Sequence, residues 1–279
     1  MKLGSTEINI ISDGNFMLDG GAMFGVVPKA LWSRLEPADE QNRIRMGLNC
    51  LLILRENQKI LVDTGIGDKH NEKFVQIYGV QQDRNLLDNL QAKGISPKGI
   101  THIIMSHMHF DHIGWNTRAS ENGEFVPTFP NAVYFAQKGE YETAENPDPR
   151  SRASYLPENW QALEKSGQLQ LLNGTCEALS GIESIVTGGH TEHHSIIKLT
   201  TSDGIVAFLA DLVPTPSHLK TPYVMGYDLF PKQTMQVKPK VLQQAFEERW
   251  LLIFEHSAKI SCGYLQEDNN KYILEEVRV

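Results

Sequence analysis

Cysteine is scarce in this 279-residue chain. Cys50, Cys176 and Cys262 are odd in number and far apart, which argues against a disulfide framework. Nowhere do about 18 apolar residues follow one another, as a membrane-crossing helix needs. The opening residues, Met1-Lys2-Leu3-Gly4-Ser5-Thr6-Glu7, lack the apolar centre of a secretory leader. Positive charge is also in deficit: 26 Lys and Arg stand against 34 Asp and Glu, a net charge of −8. Nucleic-acid binders usually present a basic face, so neither a nucleic-acid nor a membrane partner is expected, and the expected location is cytoplasmic. No low-complexity tract, proline-rich linker or internal repeat divides the chain. With 41% hydrophobic residues it can bury a sizeable core, and a single domain over residues 1–279 is expected.

What the chain does have is a dense group of metal-ligand side chains. His107, His109, Asp111 and His112 fall within six residues of the run Met105-Ser106-His107-Met108-His109-Phe110-Asp111-His112-Ile113-Gly114. The preceding residues, 99–105, are β-branched and apolar and read as a buried strand, so the group lies just past a strand's C-terminal end. Residues two apart in extended chain point the same way, so His107 and His109 can grip one ion. Asp111 and His112, entering the next turn, would face another. Three further apolar strands end in a ligand type. Residues 185–187 lead through Gly188-Gly189 to His190, residues 204–210 lead to Asp211, and residues 250–254 lead to Glu255-His256. Imidazole and carboxylate without thiolate suit zinc, iron, manganese or cobalt.

With His-x-His-x-Asp-His at 107–112, Gly-His at 189–190, Ala-Asp at 210–211, His256, and Ile60-Leu61-Val62-Asp63-Thr64-Gly65 as an early strand-to-glycine turn, the chain resembles the metallo-β-lactamase superfamily. The resemblance runs from about residue 7 to the C-terminus. It implies an α/β fold, a four-layer αββα sandwich, with a dinuclear centre at one edge of the sheets. It further implies one ion on His107, His109 and His190, the other on Asp111, His112 and His256, and Asp211 between them. Asp63 and His194 are then expected to brace ligands rather than bind metal. Two divalent ions, zinc first, would share a hydroxide that attacks a carbonyl, with Asp111 orienting it and passing its proton to the leaving group.

A narrower likeness lies in residues 19–29 with Leu31-Trp32, in Thr187-Gly188-Gly189-His190, and in Asp211-Leu212-Val213-Pro214-Thr215. These blocks are similar to the quorum-quenching lactonase branch, which hydrolyses N-acyl-homoserine lactones and is related to methyl parathion hydrolases. That likeness implies a small-molecule lactone substrate and a homodimer. The chain departs from many such lactonases at Pro214, where they carry a tyrosine; Tyr227, or else Tyr223, is the expected source of a catalytic phenol. Met23, Phe24, Trp115, His218 and Tyr223 are the expected pocket residues. Phosphotriester or general ester hydrolysis suits the same ligands, and a non-catalytic metal-binding or dimer-interaction protein is the alternative of another class. True β-lactamase and flavin-coupled diiron chemistry fit less well, because Asp211 is retained and no residues remain for a flavin domain.

Local patterns place the remaining elements. A first strand is expected at 8–11 with a turn at 12–14, then a glycine-rich loop at 19–25 whose apolar residues Met23, Phe24 and Val26-Val27 either pack on the body of the protein or stand exposed as a mobile wall or dimer contact. Paired strands are expected at 50–54 and 59–62, a helix at 85–94, a strand at 132–136, and helices near 160–165 and at 239–248. His102 reads as a satisfied strand histidine, and His70 as merely polar.

Overall fold

Successive strand residues point to opposite faces, and here both faces are apolar. Along Arg43–Arg55, Leu51 and Ile53 face one way and Leu52 the other; along Gln58–Val62, Ile60 and Val62 oppose Leu61. The strands Gly204–Phe208 and Leu251–Ile253 repeat the pattern, with Val206, Phe208, Leu251 and Ile253 opposing Ala207 and Leu252. A sheet of this kind needs cover on both sides. The computed structural model describes residues 1–269 and 271–279 and supplies it.

Two seven-stranded sheets face each other. The first runs, in spatial order, Lys2–Leu3, Thr6–Asp19, Arg43–Arg55, Gln58–Val62, His102–Ile104, Val133–Gln137, Leu169–Leu172. The second runs Cys176–Leu179, Ile182–Val186, Ser195–Thr201, Gly204–Phe208, Leu251–Ile253, Cys262–Asp268, Lys271–Glu276. Between them lies one apolar cluster containing Ile53, Val62 and Ile104 of the first sheet and Ile197, Phe208 and Ile253 of the second. Leu86 and Leu90 of the helix Leu86–Ala92 and Leu163 of Gln161–Lys165 cover the first sheet outside; Leu242 and Ala245 of Pro231–Glu247 cover the second. The result is the expected four-layer αββα sandwich. No helix among the described residues is long and apolar enough to cross a membrane.

Three local expectations give way to tertiary contacts, and one helix has no local forecast. Residues 12–14 form no turn; they are a bulge in the 14-residue strand Thr6–Asp19, where the register shifts between Ser12 and Asn15. The bulge aims buried Asp13 at four donors: its carboxylate accepts from the backbone N–H of Ile66, Gly67 and Leu86 and from the Trp115 indole. The glycine-rich block is a short helix, Gly20–Phe24, capped by Asp19 through the Ala22 N–H. Met23 and Phe24 are fully buried in it, and Val26, 89% exposed, is the residue that protrudes. The last long helix starts at Pro231, where a missing N–H is harmless, and runs through Pro239. Buried Thr234, Lys238, Leu242 and Ala245 hold it together across the broken hydrogen bond. A helix at Lys138–Glu145, unforeseen in a polar stretch, buries Glu140, Tyr141 and Ala144.

Candidate metal centre

The ligand-type residues emerge from C-terminal ends of central strands. His102–Ile104 lies parallel to Gln58–Val62 and to Val133–Gln137, so Asp63 and the loop beginning at Met105 leave the sheet side by side. Asp63 sits at φ +54° directly after Val62, and its carboxylate accepts from Ser106 N–H (2.7 Å), Ser106 O–H (2.5 Å) and His112 Nδ1–H (3.0 Å). Gly188 and Gly189, both at positive φ, turn the chain so that His190 faces this loop. A side chain at Gly189 would collide with Thr234. Asp211 and His256 follow the adjacent parallel strands Gly204–Phe208 and Leu251–Ile253. Ala210, at φ +42°, makes the sharp turn that points Asp211 inward.

All seven side chains converge. The ligand atoms of His107, His109 and His190 lie within 4.8 Å of one another, as do those of Asp111, His112 and His256, and those of His107, His112 and Asp211. Asp211 occupies the middle. Its Oδ2 is 3.0 Å from His190 Nε2, 3.6 Å from His112 Nε2 and 3.9 Å from His107 Nε2, while Oδ1 is 3.1 Å from His256 Nε2. Four of the imidazoles have Nδ1 committed as a donor, which leaves Nε2 for coordination. His107 donates to Ser106 Oγ (3.1 Å), His112 to Asp63, His190 to Asp228 Oδ1 (3.1 Å) and His256 to the Gly47 carbonyl (3.0 Å). His109 differs: its Nδ1 faces His190 Nε2 at 3.0 Å, and its ring meets Tyr155 edge-on.

These residues fit divalent cations. His107 Nε2, His109 Nε2 and Asp211 Oδ1 are buried with no hydrogen-bond partner, and His112 Nε2 confronts His256 Nε2 at 3.2 Å. Each unpaired buried polar atom costs about 1–3 kcal/mol, so such a concentration of them answers to something that accepts lone pairs. The electrostatics agree. Burial, reinforced by neighbouring histidines, holds His107 and His109 well below the ordinary imidazole pKa. At His190 and His256 burial opposes protonation, yet Asp211 outweighs it and lifts them to about 10 and about 9. Burial would raise Asp211, but His190, His256 and His112 hold it well below the carboxylate range. Positive charge belongs around Asp211, whether protons or metal ions carry it.

His194 does not face this space. Its Nε2 accepts the Asp211 backbone N–H (3.0 Å) and its Nδ1 donates to Thr187 Oγ1 (2.7 Å), so it fixes the turn that presents Asp211. Above the ligands opens a cleft of about 160 Å³. Met23 and Tyr227 line it, with Leu18, Phe110 and Met225 as apolar wall. The other expected pocket residues lie elsewhere. Phe24 is stacked between Trp32 and His218; His218 is buried against Thr215 and the Met23 carbonyl; Tyr223 packs edge-on to Phe24; and Trp115 serves Asp13. Pro214 accepts the His256 backbone N–H through its carbonyl. His102 pairs with Thr101, and His70 stacks on Phe74.

Sequence reasoning missed three buried acids. Asp228 orients His190 and accepts the Thr234 hydroxyl (2.9 Å). Glu255 lies 2.8 Å from His112 Nδ1, with burial pushing its carboxyl up to about 8. Glu140 reaches the loop from the helix Lys138–Glu145. Only Glu255, a charge ending an apolar strand beside His256, left a local signal.

Residues 44–256 match the family described as the Metallo-beta-lactamase superfamily. A probable metal-dependent hydrolase from Staphylococcus aureus has a structure that superposes with a TM-score of 0.90 at 31% identity over 100% of both chains. An N-acyl homoserine lactonase of Bacillus cereus is 24% identical over 80% of this chain and 86% of its own. AidC, a dizinc quorum-quenching lactonase, shares the fold at a TM-score of 0.80 and 21% identity, over 100% of this chain and 97% of its own.

Proposed function

The chain belongs to the metallo-β-lactamase superfamily of hydrolases, and from that premise we propose that it opens the lactone ring of N-acyl-homoserine lactones at a centre of two divalent cations. The observation that carries the reading is Asp211 between two ligand sets on the floor of a cleft walled by Leu18, Phe110 and Met225 on one part and by Arg150, Ser151 and Ser154 on another. Relatives 24–26% identical to this chain, the Bacillus cereus enzyme among them, are named for that reaction. His107, His109 and His190 would hold one ion and Asp111, His112 and His256 the other, with Asp211 serving both. An all-nitrogen-and-oxygen donor set suits zinc, iron, manganese or cobalt, and zinc is the ion proposed here.

Bound in pairs, such cations polarise a carbonyl and bring the pKa of water down to about 7. The protein's own groups do the rest. Leu18, Phe110 and Met225, with buried Met23 packed behind them, seat the acyl chain and keep bulk water off the ester. Tyr227, 39% exposed on the cleft wall, offers its phenol O–H to the reacting carbonyl oxygen. The Asp111 carboxylate, 8% exposed, takes the proton from the attacking water and returns it to the ring oxygen as the C–O bond breaks. The product is the open hydroxy acid.

The test is kcat/KM of metal-loaded protein on short- and long-chain acyl-homoserine lactones beside a phosphotriester, with Asp211→Ala as control. Lactone turnover that depends on Asp211 and far exceeds phosphotriester turnover is expected. Strong phosphotriester hydrolysis with weak lactone opening would keep the centre and replace the substrate.

A further inference from the structure

Asp63 ties down the His112 side of the ligand loop. On the other side, where His107, His109 and His190 converge, Asp63 acts on His107 through Ser106 and Asp228 holds His190, and neither ties the two chain segments together. Glu140 is in position to do so. Its side chain is 1% exposed, an unusual place for a carboxylate with no cation beside it. Oε1 accepts the Met108 backbone N–H (3.2 Å) and the Tyr155 hydroxyl (2.8 Å), and Oε2 accepts the Thr191 hydroxyl (2.7 Å). Every one of these donors adjoins a ligand. Met108 is the residue between His107 and His109, Thr191 follows His190, and the Tyr155 ring lies edge-on to His109 at 4.9 Å. One carboxylate thus joins two chain segments 81 residues apart, counted from His109 to His190.

We propose that Glu140 is a positioning residue for the His107–His109–His190 set, the counterpart of Asp63 for the set containing His112. The proposal rests on the metal-centre reading above. The two buried acids divide the work. Asp63 touches Ser106 and His112; Glu140 touches Met108, Thr191 and Tyr155, and the two have no hydrogen-bonding partner in common. Loss of Glu140 should loosen its own ligand set and spare the other, whereas loss of Asp63 acts on His112 directly and on His107 at one remove, through Ser106. Groups in this supporting role typically change metal affinity about 10–100-fold when removed.

The experiment is stepwise Co²⁺ uptake by metal-stripped protein against a chelator, followed by cobalt absorbance and by metal analysis of the separated protein. Glu140→Ala should weaken one of the two binding steps about 10–100-fold and leave the other in place. Asp63→Asn should weaken the opposite step more strongly than this one, because it touches His112 directly and His107 only through Ser106. Glu140→Gln should restore most of the loss, because the amide keeps an oxygen for Met108 N–H and Tyr155 O–H, and the Thr191 hydroxyl can turn to accept. If Glu140→Ala fails to fold, Thr191→Val and Tyr155→Phe each remove one donor and should weaken the same step by less. Equal weakening of both steps, or none in any of these variants, overturns the proposal. Wild-type protein that binds fewer than two ions would instead defeat the two-metal reading, and this one with it.

Discussion

Replacing Asp63 with Asn tests whether a single buried proton decides metal binding at His112. The substitution preserves shape, and Asn oxygen can still accept the Ser106 N–H that Asp63 now holds at 2.7 Å. What changes is the second oxygen, which becomes an NH₂ facing two donors, the Ser106 hydroxyl and His112 Nδ1–H. The hydroxyl can rotate away. The imidazole relieves the clash only by moving its proton to Nε2, the nitrogen aimed at Asp211 and Asp111. A protonated Nε2 has no lone pair for a cation. Metal affinity at that set should fall about 10–100-fold, or about 1.4–2.8 kcal/mol. Glu255 limits the loss, since its carboxyl is 2.8 Å from the same Nδ1. Burial lifts that acid to about 8, so near pH 7 it is mostly neutral and a poorer acceptor than Asp63. The order of lost affinity should therefore be Glu255→Gln least, Asp63→Asn more, and the double variant most. Chelator competition at pH 7 measures all three. A Glu255→Gln loss equal to or above that of Asp63→Asn would refute the assignment of the proton to the Asp63 pair.

In metal-free protein, burial opposes protonation of His190 and His256, but Asp211 wins and raises them to about 10 and about 9. Groups raised on folding stabilise fully below their unfolded pKa, about 6.5, and cease to as pH climbs through 9–10. Urea midpoints of the metal-free form should thus fall between pH 7 and pH 10, and metal should abolish the fall; a flat metal-free profile rejects this. Phe24→Ala should cost about 3–5 kcal/mol in urea unfolding while leaving metal uptake intact, because the ring is packed between Trp32 and His218 rather than facing the cleft. A stable variant with altered lactone KM would show the reverse. Tyr227→Phe should lower lactone kcat by up to about tenfold, the worth of one neutral hydrogen bond; unchanged kinetics remove the phenol from the reaction.

Local pattern was enough for the parts of this protein whose cause is local. Unbroken apolar runs at 50–54, 60–62 and 205–208 announce strands covered on both faces, which is the sandwich. Asp63 and Asp211 come just after two of those strands, and His107 and His256 just after the parallel strands beside them, so chain order already delivers all four to one edge. Other features have no local cause. The bulge at Asp13 exists because Ile66, Gly67, Leu86 and Trp115 converge on its carboxylate, and the helix from Pro231 outlasts Pro239 because its buried face is packed. The cleft wall was hidden for the same reason: Met23 and Phe24 are neighbours in sequence, yet one lines the cleft and the other is stacked in a core. Glu140 and Asp228 are ordinary acids until the fold sets them against residues 108, 191 and 190. A metal ligand must be a particular residue type, and so it shows in the sequence. An acid that braces one needs only to be in reach, and reach is decided by the tertiary structure.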